Sequence, residues 1–390
     1  MNRDKLSNKA TKIIVSSNYA WTVFNFRSRL IRTLMDTGYE VIVVTKPDAY
    51  TDKIRALGCE VYNIDIDLNG TNPIRDLKTL FQFYLLYNKI KPDICLHFTI
   101  KPNIYGTLAA KLLGIPTINN IAGLGTAFAA ESFLARVARI LYRVSQAGAN
   151  HVFFQNQQDC QQFIDLNIVK PEHLSVLPGS GVDLQRFKPV ERIANDRFTF
   201  LLMGRLLWDK GIGEFVEAAR RVKAQYPDTC FQLLGFVDVN NASVISKEQL
   251  DAWIDEGIVE YLGTSDNIEN EIALADCVVL PSYYKEGTPR SLLEAAAMER
   301  PIITTNNVGC ADVVDDGVNG YICKIKDSDD LASKMVAMLN LKPEVRAKMG
   351  RAGRELIQQK FDESIVLNRY HRVILEQIHT SSFGCQSEDF

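Results

Sequence analysis

The sequence is poor in residues that mark a metal or redox protein. Its five histidines include none at ligand spacing from another His or Cys, which argues against a zinc site. Its eight cysteines (59, 95, 160, 230, 277, 310, 323 and 385) form no CxxC pair. Several, such as Cys277 in ADCVVLP, sit in apolar runs, so they read as reduced core thiols. No window approaches the ~18 uninterrupted apolar residues of a membrane span. The N-terminus, MNRDKLSNKATKIIVSSN, leads into no apolar stretch long enough for a signal peptide, so a cytoplasmic location is expected. No G-x-G-x-x-G follows the first predicted strand, which speaks against a nicotinamide dehydrogenase. No basic run is present, so nucleic acid is not an expected partner.

What is present is a globular composition on a chain too long for one core. At 390 residues, with 46% hydrophobic and 23% charged, two domains are expected. The net charge of −3 hides an asymmetry. Residues 1–190 hold 22 Lys/Arg and 15 Asp/Glu, net +7; residues 191–390 hold 22 and 32, net −10. A basic half without a basic run suits an anionic small ligand or an anionic membrane surface; chance partition of surface charge is the alternative.

Short apolar runs alternate with helix-like stretches along the whole chain. TKIIVSS (11–17), YEVIVVT (39–45), CEVYNIDI (59–66), PDICLHF (92–98) and PTINNIA (116–122) are predicted strands of the first half. FTFLLMGRL (198–206), CFQLLGF (230–236), VEYLG (259–263), CVVLPS (277–282), PIITTN (301–306) and YICK (321–324) follow in the second. Such runs separated by helices mean parallel sheets covered on both faces. The fold class is α/β, with two doubly wound domains facing a cleft. The seam near 177–197 is rich in Gly, Pro and charge. The expected domains are 1–188 and 189–360, with the final helix, 361–380, free to pack back on the first. Residues 380–390 are expected to fray.

Ligands of such sheets bind beyond the C-terminal strand ends. MGRLLWDKG (203–211) leaves the first strand of the second half. Gly204 lets a backbone approach a ligand, and Arg205 and Lys210 put two cations beside a helix start, a fit for a diphosphate. The bland alternative is a solvated loop. LPSYYKEGTPRSLLEAAAMERP (280–301) follows another strand. Thr288 reads as an N-cap and Pro289 as the first helical residue. Glu286 stands before that helix and Glu294 on it, one face-sharing step from Ser291. A carboxylate can accept two hydroxyl hydrogen bonds, which suits the vicinal diol of a ribose or sugar.

These two segments resemble glycosyltransferase family 4, of the two-domain GT-B type. The likeness is to its capsule, O-antigen and PglA-type subgroup. The family's G-R-x-x-x-x-K-G loop stands here as Gly204, Arg205, Lys210 and Gly211, and its Glu-x7-Glu motif as Glu286 and Glu294. The likeness extends to NFRSRL (25–30), IKPNIYGTLAAKLLGIP (100–116), AGLGTAF (122–128) and DGVNGYIC (316–323). It implies that Arg205 and Lys210 hold the diphosphate of a UDP-sugar and stabilise it as it leaves. It implies that Glu294 binds the ribose, and that Glu286 with the backbone of Gly287 and Thr288 holds the donor sugar. It implies retention of anomeric configuration, no metal and no cofactor beyond the nucleotide-sugar co-substrate. The implied acceptor is a polyprenyl-diphosphate-linked saccharide, met at the inner face of the cell membrane by a peripheral enzyme. The implied sugar is an N-acetylhexosamine such as GalNAc, or a hexose such as galactose.

Two features depart from the family pattern. SSNYAWTVFNF (16–26) carries no glycine where many members have a Gly-rich loop, and Ala122 stands where many carry a histidine before Gly123. Asn18, His97, Lys101 and Gly123 are the acceptor-side candidates, against the alternative of satisfied polar groups at strand ends. Asp65-Ile66-Asp67 spells the D-x-D of metal-dependent transferases, but it lies far in sequence from the phosphate loop. The stretch 132–148 reads as a basic amphipathic helix with Arg136, Arg139 and Arg143 on one side. It is either a core helix with an arginine stripe or a membrane-surface element. A nucleotide-sugar epimerase of the same two-domain fold is the alternative function.

Overall fold

A computed structural model describes residues 10–67, 72–124, 133–190, 197–237, 241, 243–284 and 287–384. Contacts divide the chain into two units, residues 1–177 with 366–390, and residues 178–365.

The first unit is a seven-stranded sheet of β1 (Lys12–Tyr19), β2 (Glu40–Lys46), β3 (Glu60–Asn63), β4 (Ile94–Phe98), β5 (Thr117–Ile121), β6 (His151–Phe154) and β7 (Leu174–Val176), in the order β3-β2-β1-β4-β5-β6-β7. All its pairings are parallel. The order reverses direction between β1 and β4, which makes that point the switch of a doubly wound sheet. Two apolar layers cover it. Phe83, Tyr87, Ala109, Tyr142 and Phe163 pack on one face, and Val23, Ile31, Val366, Tyr370 and Ile374 on the other. The chain-closing helix, Glu363–Gly384, therefore completes the first unit from Val366 onward. It runs past the expected helical end at 380; residues 385–390 lie outside the described residues.

The second unit holds β8 (Thr199–Met203), β9 (Cys230–Leu234), β10 (Glu260–Tyr261), β11 (Cys277–Leu280), β12 (Ile302–Thr305) and β13 (Gly320–Cys323). Their order is β10-β9-β8-β11-β12-β13, again all parallel. The switch falls between β8 and β11. This unit begins at Pro178 rather than at 189. Val182 and Phe187 are fully buried in its core, and Val182 N–H donates to the Phe361 carbonyl at 3.0 Å.

Two other expectations are corrected. β6, four residues, and β7, three residues, were not foreseen. The segment after β1 is not a loop: the helix Ala20–Asp36 starts directly behind Tyr19. That explains the missing glycines, because no loop exists there to need them. The cysteines follow the reading as core residues: the seven described ones are buried.

Candidate functional site

The two predicted loops meet at the switch point of the second sheet. β8 ends at Met203 and delivers Gly204 and Arg205; a short turn, Trp208–Lys210, follows. β11 ends at Leu280 and delivers Pro281 through Tyr284. Because β8 and β11 are hydrogen-bonded neighbours, residues some 75 apart in sequence come side by side.

Backbone hydrogen bonds then tie the loops together. The Asp209 carbonyl accepts from Tyr283 N–H at 2.9 Å, from Tyr284 N–H at 3.0 Å and from the Ser282 hydroxyl at 3.3 Å. The third strand end joins in. Thr305 Oγ1 donates to the Ser282 carbonyl at 2.6 Å, and Asn307 Nδ2 donates to the Tyr284 carbonyl at 2.8 Å. Gly211 is required here. Its φ is +77°, and a Cβ would lie 2.2 Å from the Pro281 carbonyl oxygen.

This scaffold sets the cations. Lys210 is 7% exposed, and its Nζ sits 5.5 Å from the Tyr284 ring centroid. The Arg205 guanidinium sits 5.8 Å from the same centroid. One aromatic ring thus steadies both positive groups. Tyr284 was not foreseen, and neither was Lys326, whose Nζ lies 4.5 Å from the Tyr283 ring. The only sequence signal was the pair of tyrosines just past a strand end.

The helix Arg290–Ala297 follows. Its N-cap is Pro289, in extended conformation and without a side-chain cap bond, so the expected Thr288 cap is corrected. Thr288 serves differently. It is buried with Gly287, and the backbone of this pair is pinned between two glycines. A Cβ on Gly309 would meet the Gly287 carbonyl oxygen at 2.4 Å, and one on Gly179 would meet Thr288 Cβ at 3.0 Å. Ser291 is half-buried in the first turn. Glu294 is 6% exposed and accepts from Arg290 Nε at 2.8 Å. Burial raises its pKa, while Arg290 pulls the other way. Arg290 was missed, although a charged pair four residues apart on a helix was readable. Glu286 lies outside the described residues.

The first-unit candidates take other positions. His97 is fully buried with both ring nitrogens engaged, which agrees with the alternative of a satisfied polar group at a strand end. A chain of directed bonds sets its tautomer. Gln146 Nε2 donates to the Asn103 carbonyl, and Asn119 Nδ2 donates to Gln146 Oε1. That leaves Asn119 Oδ1 to accept from His97 Nδ1 at 2.8 Å, while Nε2 accepts from the Tyr87 hydroxyl at 2.9 Å. Burial lowers the His97 pKa to about 4. Lys101 is buried in an ion pair with Asp76, which again agrees with the alternative of a satisfied polar group. Asn18 is half-buried at the end of β1, with its N–H bonded to Thr99 Oγ1 at 2.9 Å. Gly123 is half-buried after β5, and the chain leaves the described residues two positions later.

The D-x-D carboxylates pair with the next helix, Asp65 with Lys78 at 2.9 Å and Asp67 with Arg75 at 3.4 Å. Among the described residues no cluster of His, Cys, Asp and Glu could hold a metal ion.

Comparison with known proteins decides the family. The glycosyl transferases group 1 family matches residues 183–356, and the glycosyl transferase 4-like family matches residues 12–156. The chain is 30% identical over 367 residues to the N,N'-diacetylbacillosaminyl-diphospho-undecaprenol alpha-1,3-N-acetylgalactosaminyltransferase of Campylobacter jejuni. That match covers 90% of this chain and 94% of the relative. The chain belongs to glycosyltransferase family 4. A second relative of this transferase is the UDP-Gal:alpha-D-GlcNAc-diphosphoundecaprenol alpha-1,3-galactosyltransferase of Escherichia coli, 28% identical over 74% of this chain and 76% of that one. Among solved structures, the Thermosynechococcus elongatus sucrose-phosphate synthase superposes with a TM-score of 0.78 at 17% identity, over 95% of this chain and 100% of the other. Anabaena HepE with UDP and glucose gives 0.75 at 17%, over 94% and 99%. These likenesses establish the GT-B fold of the transferase. Family membership also sets the epimerase reading aside.

Proposed function

We propose that this transferase moves a sugar from a UDP-sugar to a polyprenyl-diphosphate-linked saccharide in bacterial O-antigen, capsule or related glycan assembly. The moved sugar is an N-acetylhexosamine such as GalNAc, or a hexose such as galactose. The observation that carries the donor half is the pairing of Arg205 and Lys210 across Tyr284 at the sheet's switch point. Two fixed cations beside a helix start suit a diphosphate. They counter the negative charge that develops as the sugar–phosphate bond breaks. Glu294 suits the ribose hydroxyls, Ser291 and the backbone of Gly287 and Thr288 suit the nucleotide-sugar's polar groups, and Glu286 suits the donor sugar. Arg205 and Lys210 supply in protein cations the charge that a metal supplies elsewhere, so turnover is expected to survive a chelator.

The acceptor half is supported by the two relatives, whose names both specify diphospho-undecaprenol substrates. Such an acceptor is lipid-bound, so the reaction is placed at the inner membrane face with the enzyme attached peripherally. Transfer proceeds with retention of anomeric configuration.

The test is a panel of UDP-sugars offered with and without one undecaprenyl-diphosphate-linked saccharide, with products read by mass spectrometry and anomeric proton couplings. One UDP-sugar should give an extended lipid-linked product with the donor's anomeric configuration. Donor consumption that ignores the acceptor would overturn the reading.

A further inference from the structure

The helix Pro73–Ile90 is apolar on two opposite faces. Thr79, Phe83, Tyr87 and Ile90 turn inward and are buried against the first sheet. Ile74, Leu77, Phe81 and Leu85 turn outward and are 80%, 66%, 59% and 51% exposed. Their spacing of three, four and four residues makes one continuous stripe, ~16 Å long at 1.5 Å per residue. A surface helix in water normally carries polar groups on that side.

Its neighbours in the layer do the same. Helix Thr107–Leu112 packs between Pro73–Ile90 and Phe133–Gln146, and Leu112 at its end is 70% exposed. On Phe133–Gln146, Tyr142 is buried, whereas Ile140 and Val144 are 61% and 52% exposed. Arg136 and Arg143 are exposed beside them, at helical spacings of four and three from Ile140. Of the two readings of that helix, a core helix with all of its apolar side turned in does not hold. Part of its apolar set faces out with the arginines.

Charge says what covers this face. The three helices carry seven Lys/Arg, three on the first, one on the second and three on the third, against one acid, Asp76. Asp76 is spent on Lys101. Counting Asp65 and Asp67, which pair with Lys78 and Arg75, the layer still keeps a net +4. A second copy docking through the same face would bring two such surfaces together, like charge on like. An anionic bilayer complements both properties at once: its headgroups match the cations, and its acyl boundary accepts the apolar stripe. Among the described residues no helix is long and apolar enough to cross a membrane, so the contact lies in the interface plane.

We infer that the outward face of this helix layer is a membrane-docking surface for an anionic leaflet, with Leu77, Phe81 and Leu85 entering the acyl boundary and Lys89, Lys111 and Arg136 meeting the headgroups. The inference deepens the proposed function by naming the surface that brings the enzyme to its lipid-linked acceptor, and it rests on that reading.

The test is co-sedimentation with vesicles of phosphatidylglycerol and phosphatidylethanolamine, and with phosphatidylcholine vesicles as the uncharged control. The wild-type chain should pellet with the anionic vesicles at low salt and be released at high salt. Leu77→Ser/Phe81→Ser/Leu85→Ser should cut retention at least tenfold. Because these side chains are solvent-exposed, its thermal melt should match wild type. Lys89→Glu/Arg136→Glu should abolish the preference for anionic over uncharged vesicles. Both variants should turn over a water-soluble, short-chain acceptor at the wild-type rate. That assay keeps the two ideas apart, since loss of turnover there indicts the proposed reaction and not the docking face. Unchanged vesicle retention in the triple-serine variant overturns the inference. So does a wild-type dimer that the triple variant dissolves.

Discussion

Arg290 donates to Glu294 from one helical turn upstream, 2.8 Å away, on a side of the helix that is almost closed to water. The pair decides what Glu294 can do. Burial holds the carboxyl above its usual pKa, and the guanidinium works against that shift. Arg290 is therefore a positioning residue for the proposed ribose contact. Removing it while keeping bulk, in Arg290→Met, should weaken UDP-sugar binding about tenfold, and more strongly as the pH falls. Arg290→Lys should recover part of the loss. Calorimetric titrations at several pH values measure both effects; a pH-independent loss would mean that Arg290 touches the donor itself.

Glu294→Gln separates binding from stability. A folded carboxyl with a raised pKa holds its proton more tightly than the unfolded chain does. The ionised form is then penalised in the folded state, and the penalty grows as pH rises through the folded pKa. Glutamine removes that penalty. At pH 7 the variant should be at least as stable as wild type, yet bind the donor ~10-fold more weakly. A fall in melting temperature would show that the Arg290 pair outweighs the burial cost.

Arg205→Ala and Lys210→Ala should each lower kcat by roughly 100-fold or more, the scale of losing one charge-stabilising group in a transition state. Tyr284→Ala should raise the donor KM a few-fold, since cation–π contacts are worth about 0.5–2 kcal/mol, while Tyr284→Phe keeps the ring and should stay near wild type. Steady-state kinetics on all four variants check the order. Equal effects of Phe and Ala would move the role from the ring to the hydroxyl.

Gly309→Ala should disturb the proposed sugar subsite from outside it. The new Cβ would meet the Gly287 carbonyl oxygen at 2.4 Å, on a residue whose φ is +79°. Gly317→Ala is the control, with φ +76° and nothing within 4 Å. The control should cost about 1 kcal/mol from backbone strain alone. The Gly309 variant should cost more and also lose donor affinity. Denaturant midpoints and donor titrations distinguish them, and equal behaviour would remove the packing argument.

His97 makes the first unit acid-sensitive. Its folded pKa is about 4, against 6.5 for the free side chain. Below pH 6.5 the unfolded chain takes up a proton that the folded chain refuses, so stability falls with pH down to about 4. The loss from this residue is ~3 kcal/mol. His151 pushes the same way, with a pKa also lowered to about 4. Denaturant midpoints from pH 7 to pH 4 should fall for wild type and fall less for His97→Gln. An unchanged slope in the variant would contradict the buried neutral imidazole.

Eleven of the strands were legible because apolar-rich runs of four to nine residues between helix patterns are local signals. β6 and β7 were not singled out, and β7 is a half-buried edge strand. Of the site, Arg205, Lys210, Gly204 and Glu294 were legible as types and spacings at strand ends. Tyr284, Arg290 and Lys326 were not singled out, because their meaning depends on which groups they face. His97 and Lys101 stayed between two readings for the same reason: a polar residue at a strand end looks alike whether it meets water or a buried partner.

The sequence by itself determined the alternation of strand and helix, the doubly wound class and the identity of the two cations, since these follow from run length, periodicity and residue type. Only the tertiary structure decided that Asp209 would knit two distant loops together and that one tyrosine would face both cations. It also decided that a helix with two apolar faces would bury only one of them. Each of these depends on which strands become neighbours. The reversal of strand order between β8 and β11 and the layering on β1 and β4 are settled by packing the whole domain, where segments 70 or more residues apart choose one another.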